Sequence, residues 1–249
     1  MSRIGFNGSV KPPRPRVSIV FPYYDNPKML RFQLEAMSAY SPEILSRCEI
    51  VIVDDCSPSF PASEVVLASP LREARVFRLI RDKPWNQDAA RNIGAYEAEG
   101  QYLLLTDIDH VVPEQTLSAL YEVDDQDGVY VLSRKAHFSE KIVPSHVNSY
   151  FMSRALYWQI GGYDEDFWGA YGSDRLFRQR LLRSRDVIEL SDIRLELVTR
   201  GAIADAKNVT LSRQPSVIRR ARSLALRALK AMRLRSSPVT LANAYERIL

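Results

Sequence analysis

The segment that decides the fold is Leu103-Leu104-Leu105-Thr106-Asp107-Ile108-Asp109-His110-Val111-Val112-Pro113. Its three leucines predict a buried strand, and two aspartates follow where that strand meets a loop. Alternate residues of an extended segment point to the same side, so both carboxylates can face one small volume. Such a pair needs a cation nearby, and hard oxygen ligands suit Mg²⁺ or Mn²⁺. The segment predicts a divalent metal that holds a phosphorylated substrate, although acidic residues also end strands without any catalytic role.

The bulk composition predicts a folded domain with a substantial core. The chain has 249 residues, of which 46% are hydrophobic and 10% aromatic. Its two cysteines, Cys48 and Cys56, form no CxxC pair, so a reduced, cytosolic compartment is expected. The sequence contains neither an apolar signal core nor an apolar run long enough to cross a bilayer. A soluble or peripheral protein is therefore expected.

Strand and helix signals alternate along the first half of the chain, which predicts a mostly parallel central sheet flanked by helices. Strands are predicted at 17–21, 49–53, 75–80 and 103–105, and helices start at Pro27 and cover 87–99 and 113–124. Ligands of such sheets bind beyond the carboxyl ends of the strands. Acidic residues follow three of these strands, and they are Asp25, Asp54, Asp55, Asp107 and Asp109. No GxGxxG follows the first strand and no Walker A loop occurs, which argues against a dinucleotide-dependent oxidoreductase.

Three regions are predicted along the chain: a polar extension at 1–16, a single α/β domain at 17–212 and a basic helical segment at 213–249. The net charge is +4, but residues 213–235 alone carry eight basic residues and no acidic one. On a helical wheel the apolar residues of this segment share one face, and most of its basic residues lie on the other. One interpretation is docking to an anionic membrane surface, and the other is packing on the domain with a solvated basic face. Nucleic-acid binding is disfavoured because no aromatic residue interleaves the arginines.

Four segments between residues 17 and 109 form a pattern. They are Val-Ser-Ile-Val-Phe-Pro-Tyr-Tyr-Asp25, Ile-Val-Asp54-Asp55-Cys-Ser-Pro58, Trp85-Asn-Gln-Asp-Ala-Ala-Arg91-Asn-Ile-Gly-Ala95 and Thr106-Asp-Ile-Asp109. Together they resemble the family 2 glycosyltransferases with the GT-A fold. Each segment alone is a weak signal, but four in this order and spacing are quite specific. The resemblance spans about residues 17–185 and implies a GT-A, Rossmann-like domain.

A fifth segment, residues 161–177, reads Gly-Gly162-Tyr-Asp164-Glu-Asp-Phe-Trp168-Gly-Ala-Tyr-Gly-Ser173-Asp174-Arg-Leu-Phe. It resembles the acceptor side of this family and is similar to the β-1,4-galactosyltransferase group. Ser173 stands where that group has Glu, whereas Asp174 keeps the position that the resemblance assigns to the catalytic base.

The resemblance also implies roles for individual residues. Asp109 is the implied principal metal ligand, with Asp107 toward the ribose or the metal. Asp55 is placed beside the uracil, Asp25 in the nucleotide pocket and Arg91 on the nucleotide or diphosphate. Trp168, Gly162 and Asp164 are placed on the acceptor or sugar side. Structural alternatives remain open at this point: Arg91 as a surface helix arginine or a salt-bridge partner, Trp168 as core, Gly162 as a turn and Asp174 as a helix cap.

The third metal ligand is left open by the sequence. Relatives often supply a histidine after the base, whereas the last histidine of this chain is His146. Diphosphate and water are then expected to complete the coordination of Mn²⁺ or Mg²⁺.

The function implied is an inverting, metal-dependent transfer of a hexosyl group from a nucleotide donor, expected to be a UDP-sugar, to a glycan or lipid-linked glycan. Two alternatives stand beside it. Asp107-Ile-Asp109-His-Val111 also fits the nucleophile motif of haloacid-dehalogenase-type phosphatases, although that motif normally lies on the first strand. A sugar-nucleotide-binding protein that has lost catalysis is the second, because Ser173 departs from the pattern.

Overall fold

The computed structural model describes residues 16–139, 141–207, 215–232 and 241–249. Its elements in chain order are β1 (Val17–Tyr23), α1 (Pro27–Ser38), α2 (Pro42–Ser46), β2 (Cys48–Asp54), α3 (Ala62–Leu67), β3 (Arg75–Leu79), α4 (Gln87–Glu97), β4 (Tyr102–Leu105), β5 (His110–Val111), α5 (Glu114–Tyr121), β6 (Val129–Ala136), β7 (Ile142–Val143), β8 (Tyr150–Ser153), α6 (Arg154–Ile160), a 3₁₀ turn (Glu165–Phe167), α7 (Ser173–Ser184), β9 (Val187–Leu197), α8 (Ser216–Ala231) and β10 (Tyr245–Arg247). The strands form one sheet in the order β10-β3-β2-β1-β4-β8-β6-β9-β5, and β7 pairs with β6.

The predicted parallel half of the sheet is confirmed. β3, β2, β1 and β4 run parallel in adjacent positions, and each strand of the central pair β1 and β4 is almost wholly buried. The long apolar side chains of these strands point to both faces, as expected for a sheet covered by helices on each side. The loops that follow β1, β2 and β4 therefore meet at one edge of the sheet.

The other half of the sheet is mixed, so "mostly parallel" describes only the first half. β8 is antiparallel to both β4 and β6, and β9 then runs parallel to β6 with a register shift between Leu132 and Ser133. β9 is half-exposed and rich in charged residues, and so lacks the apolar run that reveals β1 or β4.

Helix α4 approaches β1 closely because its sequence carries a glycine at the contact. A Cβ at Gly94 would lie 2.3 Å from Cγ1 of Val20 and 3.3 Å from Cγ2 of Val53. Only glycine allows this separation between helix and sheet. The contact sets how closely α4 lies on the sheet, and the first turns of α4 carry Asp88 and Arg91 toward the edge of the sheet at which the strands end.

The C-terminal residues return to the domain rather than leaving it. β10 pairs antiparallel with β3, and the buried Glu165 carboxylate accepts hydrogen bonds from the backbone amides of Leu241 and Ala242. β10, which follows the predicted boundary at 212, therefore belongs to the same sheet as β3, which precedes it. Of the predicted extension at 1–16, only Arg16 lies within the described residues.

A helix is confirmed within the predicted basic segment, and it packs on the domain. Its orientation differs from the packed arrangement that the wheel suggested, because Arg222 and Lys230 face the domain while Val217, Ile218 and Leu224 are exposed. No helix of the described residues is long and apolar enough to cross a membrane.

Candidate functional site

A pocket opens at the edge of the sheet where β1, β2 and β4 end. Asp55, Asp107 and Asp109 all line this first pocket, so the acids that follow β2 and β4 converge as the strand order requires. The other lining residues are Pro22, Tyr23, Tyr24, Asn26, Trp85, Gln87, Ile108, His146, Ala206 and Lys207. Aromatic, carboxylate and amide groups thus share a concave surface of the kind that binds a small molecule.

A second pocket adjoins the first, and Asp174 lines it from the first turn of α7. The remaining residues specific to this pocket are Val147, Asn148, Ala170, Tyr171, Gly172 and Ser173. Residues common to both pockets are Trp85, Gln87, Asp107, His146 and Lys207. Asp107 therefore stands at the junction, with Asp55 and Asp109 on one side and Asp174 on the other.

Arg91 holds Asp107 in place at this junction. Its guanidinium donates to the Asp107 carboxylate and lies 3.7 Å from Asp88, and only 1% of its side chain is exposed. Burial alone would raise the pKa of Asp107, but the charge and hydrogen bond of Arg91, together with His146 and His110, outweigh it and lower that pKa to about 2. Arg91 lines neither pocket. Arg91 is thus a buried ion-pair partner of Asp107, which is one of the alternatives that the sequence left open, and it is not a surface arginine.

Ser173, the residue that departs from the family pattern, has a defined partner. Its hydroxyl donates to the Asp88 carboxylate at 2.5 Å, and both side chains are buried. Burial raises the pKa of Asp88 to about 7, although Arg91 and the Ser173 hydroxyl oppose this shift. A glutamate at 173 would set a second carboxylate against Asp88, so the serine suits its neighbour. The pair also fixes the start of α7, and with it the position of Asp174.

The residues around Asp109 fit a divalent metal that the protein holds with few ligands. One Asp109 oxygen lies 2.8 Å from Nδ1 of His110, and both atoms are buried. Nδ1 of His146 lies 3.5 Å from Oδ2 of Asp107, at the junction of the two pockets. No three His, Cys, Asp or Glu residues within the described ranges converge as a complete metal cage. Mg²⁺ is usually held by one or two protein carboxylates, and substrate phosphates complete its coordination. The carboxylates of Asp107 and Asp109 therefore fit such an ion.

The acids that follow β1 and β2 are separated by the structure. Asp55 lies in the first pocket, where its carboxylate accepts a hydrogen bond from the backbone amide of Asn86 at 3.0 Å. The Asp25 carboxylate instead accepts from the amides of Ser59 and Phe60, at 3.2 and 2.8 Å, and does not line the pocket. Asp25 thus ties the loop after β1 to the loop after β2.

The three residues predicted for the acceptor side make structural contacts and line neither pocket. Gly162 has a φ of +64°, and a Cβ there would lie 2.7 Å from Oδ1 of Asn92. Both features need a glycine, as expected if Gly162 forms a turn. Asp164 is fully buried, 2.5 Å from Nζ of Lys230. Trp168 lies under the guanidinium of Arg222, at 3.9 Å from the ring centroid. Of the segment 161–177, residues 170–174 line the second pocket, whereas these three residues do not.

Sequence reasoning missed several pocket residues. Lys207 stands in a loop without any recognisable pattern, and His146 entered only as the last histidine of the chain. Tyr171 lies within the segment 161–177, but no role was predicted for it. Trp85 has a φ of +52° and meets the Tyr171 ring edge to face at 5.9 Å. A non-glycine residue held at positive φ is a mark of a functional loop, but this signal exists only once the backbone is known.

A family model of glycosyl transferase family 2 matches residues 18–185, which is more than half of the chain. The chain belongs to this family. Among curated relatives, the glycosyltransferase GlyG of Streptococcus pneumoniae is 28% identical over 136 residues, which cover 54% of this chain and 42% of that protein. The undecaprenyl-phosphate 4-deoxy-4-formamido-L-arabinose transferase of Photorhabdus laumondii is 23% identical over 127 residues, covering 51% and 39%. This family 2 chain thus spans less than half the length of these relatives.

Solved structures confirm the GT-A fold of this family 2 member. S. aureus TarS 1–349 in complex with UDP-GlcNAc superposes with a TM-score of 0.62 at 19% identity, covering 80% of this chain and 61% of that one. The mannosyltransferase PcManGT from Pyrobaculum calidifontis, in complex with GDP-Man and Mn²⁺, gives 0.59 at 19% identity, covering 90% and 66%. The finer similarity of residues 161–177 to the β-1,4-galactosyltransferase group stays a prediction.

Replacing Arg91 by Leu is expected to destabilise this family 2 domain by about 3 kcal/mol, because it leaves Asp107 and Asp88 without their buried cation. Urea unfolding measures the effect. The matched control is Arg185→Leu, which removes a partly exposed pair with Asp127 and is expected to cost less than about 1 kcal/mol. Equal losses in the two variants would contradict the account.

The buried Asp88 carboxyl is expected to give this family 2 domain a specific pH dependence. Between about pH 4 and pH 7 only the folded chain retains the Asp88 proton, so the free energy of unfolding falls as pH rises through this window. Asp88→Asn removes the group. The stability of the natural chain minus that of the variant should therefore decline from about pH 4 to about pH 7 in urea titrations. A difference that stays constant or rises would refute the assignment.

Proposed function

We propose that this chain transfers a hexosyl group, with inversion, from a UDP-sugar to a hydroxyl of a glycan or lipid-linked glycan. The observation that carries the proposal is the pair of pockets that meet at Asp107, with Asp55 and Asp109 on one side and Asp174 on the other. A single displacement at a sugar carbon needs the leaving diphosphate and the base on opposite faces. The arrangement of the carboxylates around the junction supports this geometry.

The first pocket is proposed to hold the nucleotide. Asp55, at the end of β2, is offered for the uracil edge, and Asp107 for the ribose or the metal. A divalent ion, Mn²⁺ or Mg²⁺, would be held by Asp109 with help from Asp107, and when bound it neutralises the charge of the diphosphate. Lys207, at the rim of both pockets, offers a further positive charge to the same group.

Arg91 is proposed to act through Asp107 and not as a direct ligand of the diphosphate. Its guanidinium pairs with the carboxylates of Asp88 and Asp107, and Arg91 lines neither pocket. The role proposed for Asp25 is likewise indirect, since its carboxylate fixes the two loops that carry Tyr24 and Asp55.

The second pocket is proposed to receive the acceptor hydroxyl. Asp174, in the first turn of α7, accepts its proton. Tyr171 and Trp85 offer aromatic surface for a sugar ring beside it. Trp168, Gly162 and Asp164 are proposed to shape this pocket from behind.

The relatives support the acceptor class. Undecaprenyl-phosphate and dolichol-phosphate transferases are among the curated proteins that the chain matches, the latter from Saccharomyces cerevisiae at 30% identity over 107 residues. A peripheral position at the inner face of a membrane, where lipid-linked acceptors are reached, is part of the proposal. Neither the phosphatase nor the non-catalytic alternative finds support in the comparisons, and the Asp-x-Asp segment follows the fourth strand instead of the first.

Asp174→Asn is expected to abolish turnover while leaving UDP affinity within about twofold, because the amide cannot accept the proton and the residue lies outside the first pocket. UDP release is measured over a panel of donors with Mn²⁺, and UDP binding by calorimetry. The control, Asp192→Asn, changes an exposed carboxylate of β9 and should retain full activity. An active Asp174→Asn variant would show that the base is elsewhere.

Chelation is expected to stop UDP release, and added Mn²⁺ or Mg²⁺ to restore it. Asp109→Asn should raise the metal concentration needed for half-maximal rate by at least about tenfold, because one anionic ligand is lost. Asp124→Asn, at an exposed carboxylate, is the matched control. Activity that survives chelation would disprove the metal requirement, and a product of retained anomeric configuration by NMR would disprove inversion.

A further inference from the structure

Helix α8 packs on the domain with a mostly polar side and carries an apolar stripe on the side that faces outward. Leu226, the helix's buried residue, packs against Phe167 and Ala170 of the domain. The residues that flank Leu226 on the same side are Arg222, Ser223 and Lys230, and all are partly or largely covered. The opposite side holds Val217, Ile218, Ala221, Leu224, Ala225, Ala228 and Met232. This is the reverse of the usual surface helix, which buries its apolar stripe.

Polar contacts fix the helix in this orientation. Nζ of Lys230 lies 2.5 Å from the Asp164 carboxylate and 3.1 Å from Asp166, and the Lys230 side chain is only 4% exposed. The Arg222 guanidinium covers the Trp168 ring and donates to the Asp166 carbonyl oxygen at 3.0 Å. Turning the apolar stripe inward would deprive the buried Asp164 of its closest cation, which is costly.

The outward stripe is too apolar for water alone. Val217 is 74% exposed, Leu224 62%, Met232 58% and Ile218 57%. On a helix these side chains, with the alanines between them, form one contiguous surface. Contiguous exposed apolar surface bordered by polar groups marks an interaction site.

The charges beside the stripe indicate what it contacts. Arg220 and Arg227 border it on one side, and α8 contains no acidic residue. Both arginines line a groove of about 420 Å³ whose other walls include Tyr171 and Leu224. Basic side chains next to an apolar stripe and an aromatic ring match the charge and depth profile of an anionic lipid surface.

We infer that α8 docks this chain onto an anionic phospholipid bilayer, with its apolar stripe among the acyl chains and Arg220 and Arg227 at the lipid phosphates. Tyr171 lines both the arginine groove and the second pocket, so docking sets the mouth of the proposed acceptor pocket at the lipid surface. This inference rests on the proposed function for its purpose, but the docking itself is measured without any donor or acceptor.

Co-sedimentation of the full chain with vesicles tests the inference. We expect binding to phosphatidylcholine vesicles that contain phosphatidylglycerol, and much weaker binding to phosphatidylcholine alone. Ile218→Glu with Leu224→Glu should abolish sedimentation, because both side chains would meet the acyl region. Arg220→Gln with Arg227→Gln should weaken binding to the anionic vesicles by about 25-fold. The matched control is Leu182→Glu with Ile188→Glu, two exposed apolar residues outside α8, and should bind like the natural chain.

Three outcomes would overturn the inference. They are failure of the natural chain to sediment, unchanged sedimentation of the Ile218/Leu224 variant, and a dimer in light scattering that this variant loses, which would show a second copy on the stripe. Thermal unfolding confirms that each variant is folded. UDP release measured without vesicles reports separately on the proposed function, so either proposal can fail while the other stands.

Discussion

The rest of the site depends on one buried cation, the guanidinium of Arg91. It is supplied by α4, which lies against β1 only because Gly94 leaves room. From there it holds Asp107 at the end of β4 and faces Asp88, which in turn receives the Ser173 hydroxyl from α7. A charge this deep is tolerated only while its partners are present. The ion pair therefore ties together the three elements that carry the two pockets.

This arrangement couples stability to chemistry. Asp107 stands at the junction of the pockets and keeps its negative charge because Arg91 is beside it. The pKa of Asp88 is raised instead, because burial favours the protonated carboxyl. Two carboxylates within reach of one guanidinium thus have pKa values pushed apart, which leaves the charged one facing the pockets and the protonation-prone one within the protein. Ser173, the departure from the family pattern, preserves this division because a hydroxyl can serve Asp88 in either state.

The sequence was most informative where strands are apolar and end in acids. Runs of apolar residues predicted the strands β1, β2 and β4. The geometry of parallel strands predicted that Asp55, Asp107 and Asp109 would meet. β9 could not be predicted in this way, because its half-exposed, charged sequence has no such run. The contacts of Arg91, Trp168 and Asp164 depend on which partner lies across the fold, and spacing along the chain does not encode that. The expected orientation of α8 was wrong for the same reason. The ion pair of Lys230 with a buried carboxylate turns the polar side of the helix to the domain and leaves the apolar stripe outside.

We propose that the two pockets joined at Asp107 hold a nucleotide on one side and an acceptor on the other. A crystal structure of the chain with UDP and Mn²⁺ tests this most directly. We expect the uracil beside Asp55, the diphosphate and the ion at Asp109, and the pocket around Asp174 still open. A nucleotide bound away from the ends of β2 and β4, or an ion held without Asp109, would contradict it.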